Sequence, residues 1–230
     1  MAHVFRFLAA PGQSLAAGSI VVLADDDARH AGSVLRLRAG AAVEVGDGAG
    51  RVHEAVVVDP RAGALRVGSE LPAQPPLAPI RVLLAQSGSR ADDAVEKLVE
   101  LGVAEVAPLL AAGRRRDART DRWERIARSA AQQAKLAWVP VIGPPVAFAD
   151  ALADGIACSH EEADGDLVAA LAHRPAPVTL LIGPEAGFTA DELAAARAAG
   201  APIATLGPTV LRTETAAVVA AAIARDHLAR

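Results

Sequence analysis

A single cysteine, Cys158, stands among 230 residues. That excludes an internal disulfide and a cysteine-based zinc site, and no metal is expected. Long apolar runs are missing too. The longest near the C-terminus, Ala216 to Ala224, falls far short of the roughly 20 residues that span a bilayer. Hydrophobic residues make up 52% of the chain and mean hydropathy is +0.29, but alanine supplies much of both. The first residues lack a basic region followed by an apolar stretch, so no signal peptide is expected and a cytoplasmic location is the simplest expectation. No Gly-x-Gly-x-x-Gly joins an early strand to a helix, which argues against a dehydrogenase-like domain. The net charge of −4 argues against a protein coated in positive potential.

The positive charge that exists is concentrated. Arg114, Arg115, Arg116, Arg119, Arg122, Arg125, Arg128 and Lys135 face only Asp117, Asp121 and Glu124 in the same segment, a local net of +5. A phosphate backbone selects such a patch. The competing reading is a solvated helix face, but such faces usually mix both signs.

Two other stretches organise the chain: Gly183-Pro184-Glu185-Ala186-Gly187-Phe188, and Leu206-Gly207-Pro208-Thr209-Val210-Leu211-Arg212-Thr213-Glu214-Thr215-Ala216. Each follows an apolar run that reads as a buried strand, residues 178–182 and 202–206, and each leads into a helix. Ligands of open parallel sheets collect just beyond the carboxyl ends of strands. One Gly-Pro pair would mark only a turn. Two of them beside charged side chains read as two walls of one pocket, because charge opening an apolar helix is costly unless it is used.

The length fits one large or two modest domains. Up to about Leu71, short apolar runs alternate with Gly and Asp turns. Strands are expected at Val4–Leu8, Ser19–Leu23, Ala42–Val45, His53–Val58 and Ala64–Val67, with one helix over residues 25–35, which suggests a small barrel. Four prolines between Leu71 and Pro79 prevent regular helix or central strand and mark a boundary. The domains are therefore expected at 1–72 and 80–230, joined by 73–79. Beyond the boundary, strands over 80–86, 105–110 and 156–159 alternate with helices over 91–101, 121–138, 166–172, 190–199 and 215–228. That alternation means α/β with a mostly parallel sheet. Asp121-x-x-Glu124 and Thr189-x-x-Glu192 have capping-box spacing. On the 121–138 helix, Arg122, Arg125, Arg128, Gln132 and Lys135 share one side at helical spacing, opposite Trp123, Ile126, Ala127, Ala130, Ala134 and Ala137. His160 reads as a surface residue beside a strand end, or as part of a third ligand loop. The last helix is apolar nearly all round through Ile223 and needs cover on several sides, for which a partner subunit is one source.

"LLIGPEAGF" and "LGPTVLRTETA", preceded by "EKLVELGVAEVAPL" and "RWERIARSAAQQAKLAWVP" and by "HVFRF" and "RHAGSVLRLRAG", resemble the RsmE family of ribosomal RNA methyltransferases over nearly the whole chain. The resemblance implies an N-terminal PUA-like β-barrel that binds RNA and a C-terminal SPOUT domain with a trefoil knot. It also implies S-adenosylmethionine as cofactor, a homodimer, and methylation of N3 of one uridine near the 3′ end of 16S ribosomal RNA, free or in the small subunit. Three segments depart from the family pattern: Ala186-Gly187 for Gly-Gly, Lys135 where Arg is usual, and Gly113-Arg114-Arg115-Arg116-Asp117 for an Arg-Ser-Val element.

On that resemblance the cofactor site is expected to comprise Leu181, Ile182, Gly183, Pro184, Glu185, Gly187, Leu206, Gly207, Leu211, Thr213 and Thr215, with Leu181, Ile182 and Leu211 against the adenine. Uracil N3 attacks well only as the anion. Arg212 suits stabilisation of that anion, since its fork of donors matches a developing oxyanion. Glu214 or Glu185 would accept the proton or orient Arg212. The plainer alternative is an Arg212–Glu214 ion pair capping the last helix. Rival functions are a knotted methyltransferase acting on another RNA atom, such as a ribose 2′-hydroxyl, and a non-catalytic RNA-binding or ribosome-assembly factor.

Overall fold

The N-terminal alternation of apolar and polar residues folds as a five-stranded sheet. In the computed structural model, which describes residues 4–10, 12–85, 88–111 and 120–230, the strands are β1 (Arg6–Leu8), β2 (Ile20–Val22), β3 (Ala42–Gly46), β4 (Val52–Asp59) and β5 (Ala64–Glu70). Their order is β1-β3-β4-β5-β2, and only the β1–β3 pair is parallel. Ala55 and Val57 of β4 point inward with Val43, Val45, Leu65 and Val67, while Glu54, Val56 and Val58 point outward, as a period of two requires. The helix expected over 25–35 is a short α1 (Asp25–Arg29) that widens into a π turn over His30–Val34. Gly32 lets that turn lie against the Pro60 carbonyl, which a Cβ would approach to 2.8 Å.

Two compact units divide the chain, residues 1–76 with 131–139 and residues 77–130 with 140–230. Residues 131–139 belong with the first unit because its polar groups hold them. Gln132 accepts a hydrogen bond from the Leu8 amide at 3.2 Å and donates to Asp27 at 3.1 Å. The nearly buried Arg6 pairs with Glu44 at 2.8 Å and donates to the Lys135 carbonyl. Trp138 bridges to Ala49, and Gly50, at φ +105°, leaves no room for a Cβ against its ring.

These contacts correct the helix expected over 121–138. The helix α3 is Thr120–Gln133. Lys135 takes the left-handed conformation at φ +53°, with its amide bonded to the Gln132 carbonyl and the Leu136 amide to the Ala131 carbonyl. That is a Schellman ending built without glycine. Asp121 likewise sits inside the first turn rather than capping it, where it favours the helix dipole.

The second unit holds β6 (Ala78–Leu84), α2 (Ser89–Glu100), β7 (Val103–Leu110), β8 (Val141–Ile142), β9 (Val146–Ala147), β10 (Gly155–Cys158), β11 (Gly165–Asp166), α4 (Leu167–Leu171), β12 (Val178–Ile182), α5 (Ala190–Ala198), β13 (Ile203–Thr205) and α6 (Thr213–Leu228). The strands pair in parallel in the order β11-β13-β10-β12-β6-β7-β8, with β9 beside β7. β12 is buried along its whole length, which is why it reads as an unbroken apolar run. Pro79 lies within central strand β6, against the expectation. It is tolerated because the β6–β7 register breaks between Ala78 and Arg81 and pairing with β12 starts only at Ile80. The α2 stripe Ala91, Ala94, Val95, Leu98 and Val99 is buried, and Gly102 at φ +73° ends the turn after it. α6 buries Ala217, Ala220, Ala221 and Ala224 and leaves Val218, Val219 and Ile223 partly covered.

Replacing Lys135 with Gly removes the left-handed penalty that any L side chain carries there. Lys135→Gly is expected to stabilise the protein by about 0.5–1 kcal/mol in urea unfolding, since relief of strain exceeds the added chain entropy.

Candidate functional site

Three adjacent parallel strands run out side by side. Cys158 of β10 is level with Ile182 of β12 on one side and Ala204 of β13 on the other. Their following loops enclose a cleft of about 400 Å³, whose walls include Cys158 to Glu162, Ile182 to Phe188, and Thr205, Leu206, Thr209, Val210, Leu211, Thr213 and Ala216. The two Gly-Pro loops thus meet in one pocket, and the β10 loop adds a third wall. That size falls within the range of small-ligand sites.

Each loop has a local reason for its path. In the first, the Gly187 amide bonds to the Pro184 carbonyl at 2.9 Å and Gly187 takes φ +76°. Ala186 is not among the positive-φ residues, so its methyl adds no backbone strain where the family has glycine. A Cβ on Gly183 would meet the Phe188 ring at 3.3 Å. Phe188 in turn packs on Phe148 with ring centroids 5.0 Å apart. The chain then enters α5 through a complete capping box of Thr189 and Glu192. In the second loop Gly207 takes φ +132°, and the Thr205 hydroxyl accepts from its amide at 3.3 Å and donates to its carbonyl at 2.9 Å.

Most of the expected cofactor residues are walls: Ile182, Gly183, Pro184, Glu185, Gly187, Leu206, Leu211 and Thr213. Leu181 instead lies fully buried in the core beside Leu83, Ala107 and Ala157. Gly207 and Thr215 are outside the walls, Gly207 acting through the turn it permits. Of the expected catalytic groups only Glu185 is a wall, and it lies 3.9 Å from Arg90 of α2. Arg212 is exposed, occupies the N-cap position of α6 and forms no ion pair with a described residue. Glu214 is half-buried in the first turn of that helix.

The β10 loop was the least legible wall. Residues 158–162 carry no Gly-Pro signature, and only the sheet order brings them between the other two loops. Desolvation pushes the Cys158 thiol up to about 12, so it stays protonated and non-nucleophilic near neutral pH. Leu206, Leu211, Ile182 and Phe188 supply apolar surface for a flat ring system, while the strand ends supply backbone polar groups. The charged walls are Glu161, Glu162 and Glu185, with no Lys or Arg among the described residues that line the cleft. That balance suits a ligand carrying positive charge, as a sulfonium does.

The expected RNA-contacting residues are less uniform than their spacing. Arg114, Arg115, Arg116 and Arg119 lie outside the described residues. Arg122 is exposed but pairs with Asp92 at 2.6 Å. Arg125 is exposed, Arg128 is half-buried, and Lys135 follows the helix end.

Residues 75–225 match the family model described as an RNA methyltransferase domain, and residues 23–67 that of an RNA methyltransferase PUA domain. The chain is 36% identical to the ribosomal RNA small subunit methyltransferase E of Mycobacterium tuberculosis over 224 residues, covering 88% of this chain and 85% of that one. Its counterpart of the same name in Synechocystis is 30% identical over 233 residues, covering 95% and 76%. Among solved structures, the ribosomal RNA small subunit methyltransferase E of Neisseria gonorrhoeae bound to S-adenosyl methionine superposes with a TM-score of 0.82 at 30% identity, covering 96% of each chain.

The loop geometry separates two neighbouring substitutions. Gly207→Ala forces a side chain into a positive-φ position and is expected to cost about 1–2 kcal/mol in denaturant unfolding. Ala186→Gly is expected to stay within about 1 kcal/mol of the parent, the usual cost of added glycine freedom.

Proposed function

The chain belongs to the RsmE family of ribosomal RNA methyltransferases, and from that premise we propose that it transfers a methyl group from S-adenosylmethionine to N3 of a uridine near the 3′ end of 16S ribosomal RNA. The observation that carries this reading is the meeting of the two Gly-Pro loops in one cleft of nucleoside size. A PUA-like unit at 1–72, a link at 73–79 and a catalytic domain at 80–230 complete it. The partly covered Val218, Val219 and Ile223 of α6, near exposed Val168, support a homodimer. Among the described residues no helix is long and apolar enough to cross a membrane.

S-adenosylmethionine supplies an already activated methyl, so the protein has to create no electrophile. The Gly183–Phe188 and Leu206–Leu211 loops hold the nucleoside through backbone polar groups, with Ile182, Leu206 and Leu211 against its ring. The target N3 lies on the Watson–Crick edge and is a weak imide acid. The uridine must therefore be unpaired or extruded, and its proton removed as attack begins. Glu185, already in the cleft wall, or Glu214, at the start of α6, accepts that proton. Arg212, exposed beside the walls Leu211 and Thr213, swings to the uracil oxygens to spread the charge that N3 deprotonation creates. Arg125 and its basic neighbours position the RNA by its phosphates.

The decisive experiment is methylation of ribosomal RNA from cells lacking the protein, with the product mapped by mass spectrometry of digested RNA. A methyl on uracil N3 is expected. A methyl on a ribose 2′-oxygen, or none, overturns the reading. Arg212→Lys is expected to keep cofactor binding and to lose about 10²–10³ in kcat, the size of loss when a directed oxyanion donor is removed. Full turnover in that variant removes Arg212 from the chemistry. Arg125→Ala is expected to weaken RNA binding and to lower the slope of log K against log salt by about 1. An unchanged slope returns Arg125 to an ordinary solvated face.

A further inference from the structure

The cleft's third wall depends on one arginine outside it. The connection from β10 to β11 is fixed at its two ends by the Ser159 amide on the Ala204 carbonyl at 3.0 Å and the Asp164 amide on the Ile203 carbonyl at 2.8 Å. Between those anchors Glu162 is held at φ +57°, a conformation that costs a non-glycine residue about 1 kcal/mol or more. Arg197, in the last turn of α5, grips that residue. Its Nη2 donates to the Glu162 carbonyl at 2.6 Å, its Nη1 lies 3.1 Å from the Glu162 carboxylate, and its Nε reaches Asp164 at 3.4 Å. These groups are about half exposed, so the ion pairs alone add little stability. Their effect is geometric. A planar fork that holds one backbone carbonyl and two carboxylates selects a single path for the loop. His160, Glu161 and Glu162 line the cleft on that path.

We propose that Arg197 is a positioning residue for methyl-donor binding: by clamping Glu162 and Asp164 it keeps the 158–162 loop in place as the cleft's third wall. The inference rests on the cofactor reading of that cleft. Arg197 touches neither the cleft nor the reacting atoms, so its loss should raise the donor's KM and spare kcat.

Calorimetric titration with S-adenosylmethionine, steady-state methylation of 16S ribosomal RNA, and amide hydrogen exchange test this on the parent, Arg197→Ala and Arg197→Lys. Arg197→Ala is expected to weaken donor binding about tenfold, leave kcat at saturating donor within about twofold, and speed exchange at residues 160–163. Arg197→Lys, a point charge that reaches one partner at a time, is expected to fall between the two. Donor affinity within about twofold of the parent in Arg197→Ala overturns the proposal, as does a fall in kcat with affinity unchanged. Faster exchange across the whole parallel sheet also overturns it, since Arg197 would then be a general stabiliser. Failure of the parent to bind S-adenosylmethionine removes the cofactor reading and the donor-binding half of the proposal with it. Exchange at 160–163 decides the clamp in that case too, and unchanged exchange in Arg197→Ala overturns it.

Discussion

The cleft exists because three neighbouring parallel strands stop at one level. In a parallel sheet every strand sends its chain out at the same edge, so unpaired backbone groups and turn residues accumulate there. Alignment of Cys158 with Ile182 and Ala204 puts three such exits side by side. A slip of β10 by one residue would carry each of the buried Ile156 and Ala157 to the face of the sheet opposite its present one. The strongly buried faces of β12 and β10 therefore protect the geometry of the site as well as the core.

The loops solve different problems with the same residues. Gly187 permits a left-handed turn that closes back on Pro184, and Gly207 permits a sharper excursion that the Thr205 hydroxyl holds at both ends. Gly183 is small for another reason, the Phe188 ring that fills the space where its side chain would lie. Phe188 then links the loop to the core through Phe148. The pocket is thus bounded by loops anchored by hydrogen bonds and ring packing. Preorganisation of that kind lowers the ordering cost of binding a nucleoside.

Much of this was legible in the sequence, for identifiable reasons. β12 was expected at Val178–Ile182 and is found there, because an unbroken apolar run between Pro177 and Gly183 admits few alternatives. The Thr189–Glu192 capping box is local and was equally legible. The two-residue strands β8, β9 and β11 were not, since two residues carry no period. The third wall was legible only as one of two readings of His160, because its place depends on sheet order, a non-local fact. Leu181 and Ile182 shared one expectation although neighbouring strand residues point to opposite faces, and only Ile182 reaches the cleft.

Helical spacing is a weaker guide to a binding face than to a buried one. Five residues share one expected polar side of α3, yet they meet different fates. Gln132 satisfies the Leu8 amide and Asp27, and Lys135 belongs to the helix ending. Arg122 is balanced by Asp92, an acid supplied by another helix and invisible to a count along the segment. Arg128 is half-buried and already engaged, which leaves Arg125 as the exposed cation of the five without a described partner. Attraction to a phosphate backbone scales with charge left unbalanced in three dimensions, not with charge counted along the chain. Of the +5 counted over residues 114–135, the described residues 120–135 carry +2, and the Arg122–Asp92 pair lowers what they leave unbalanced further.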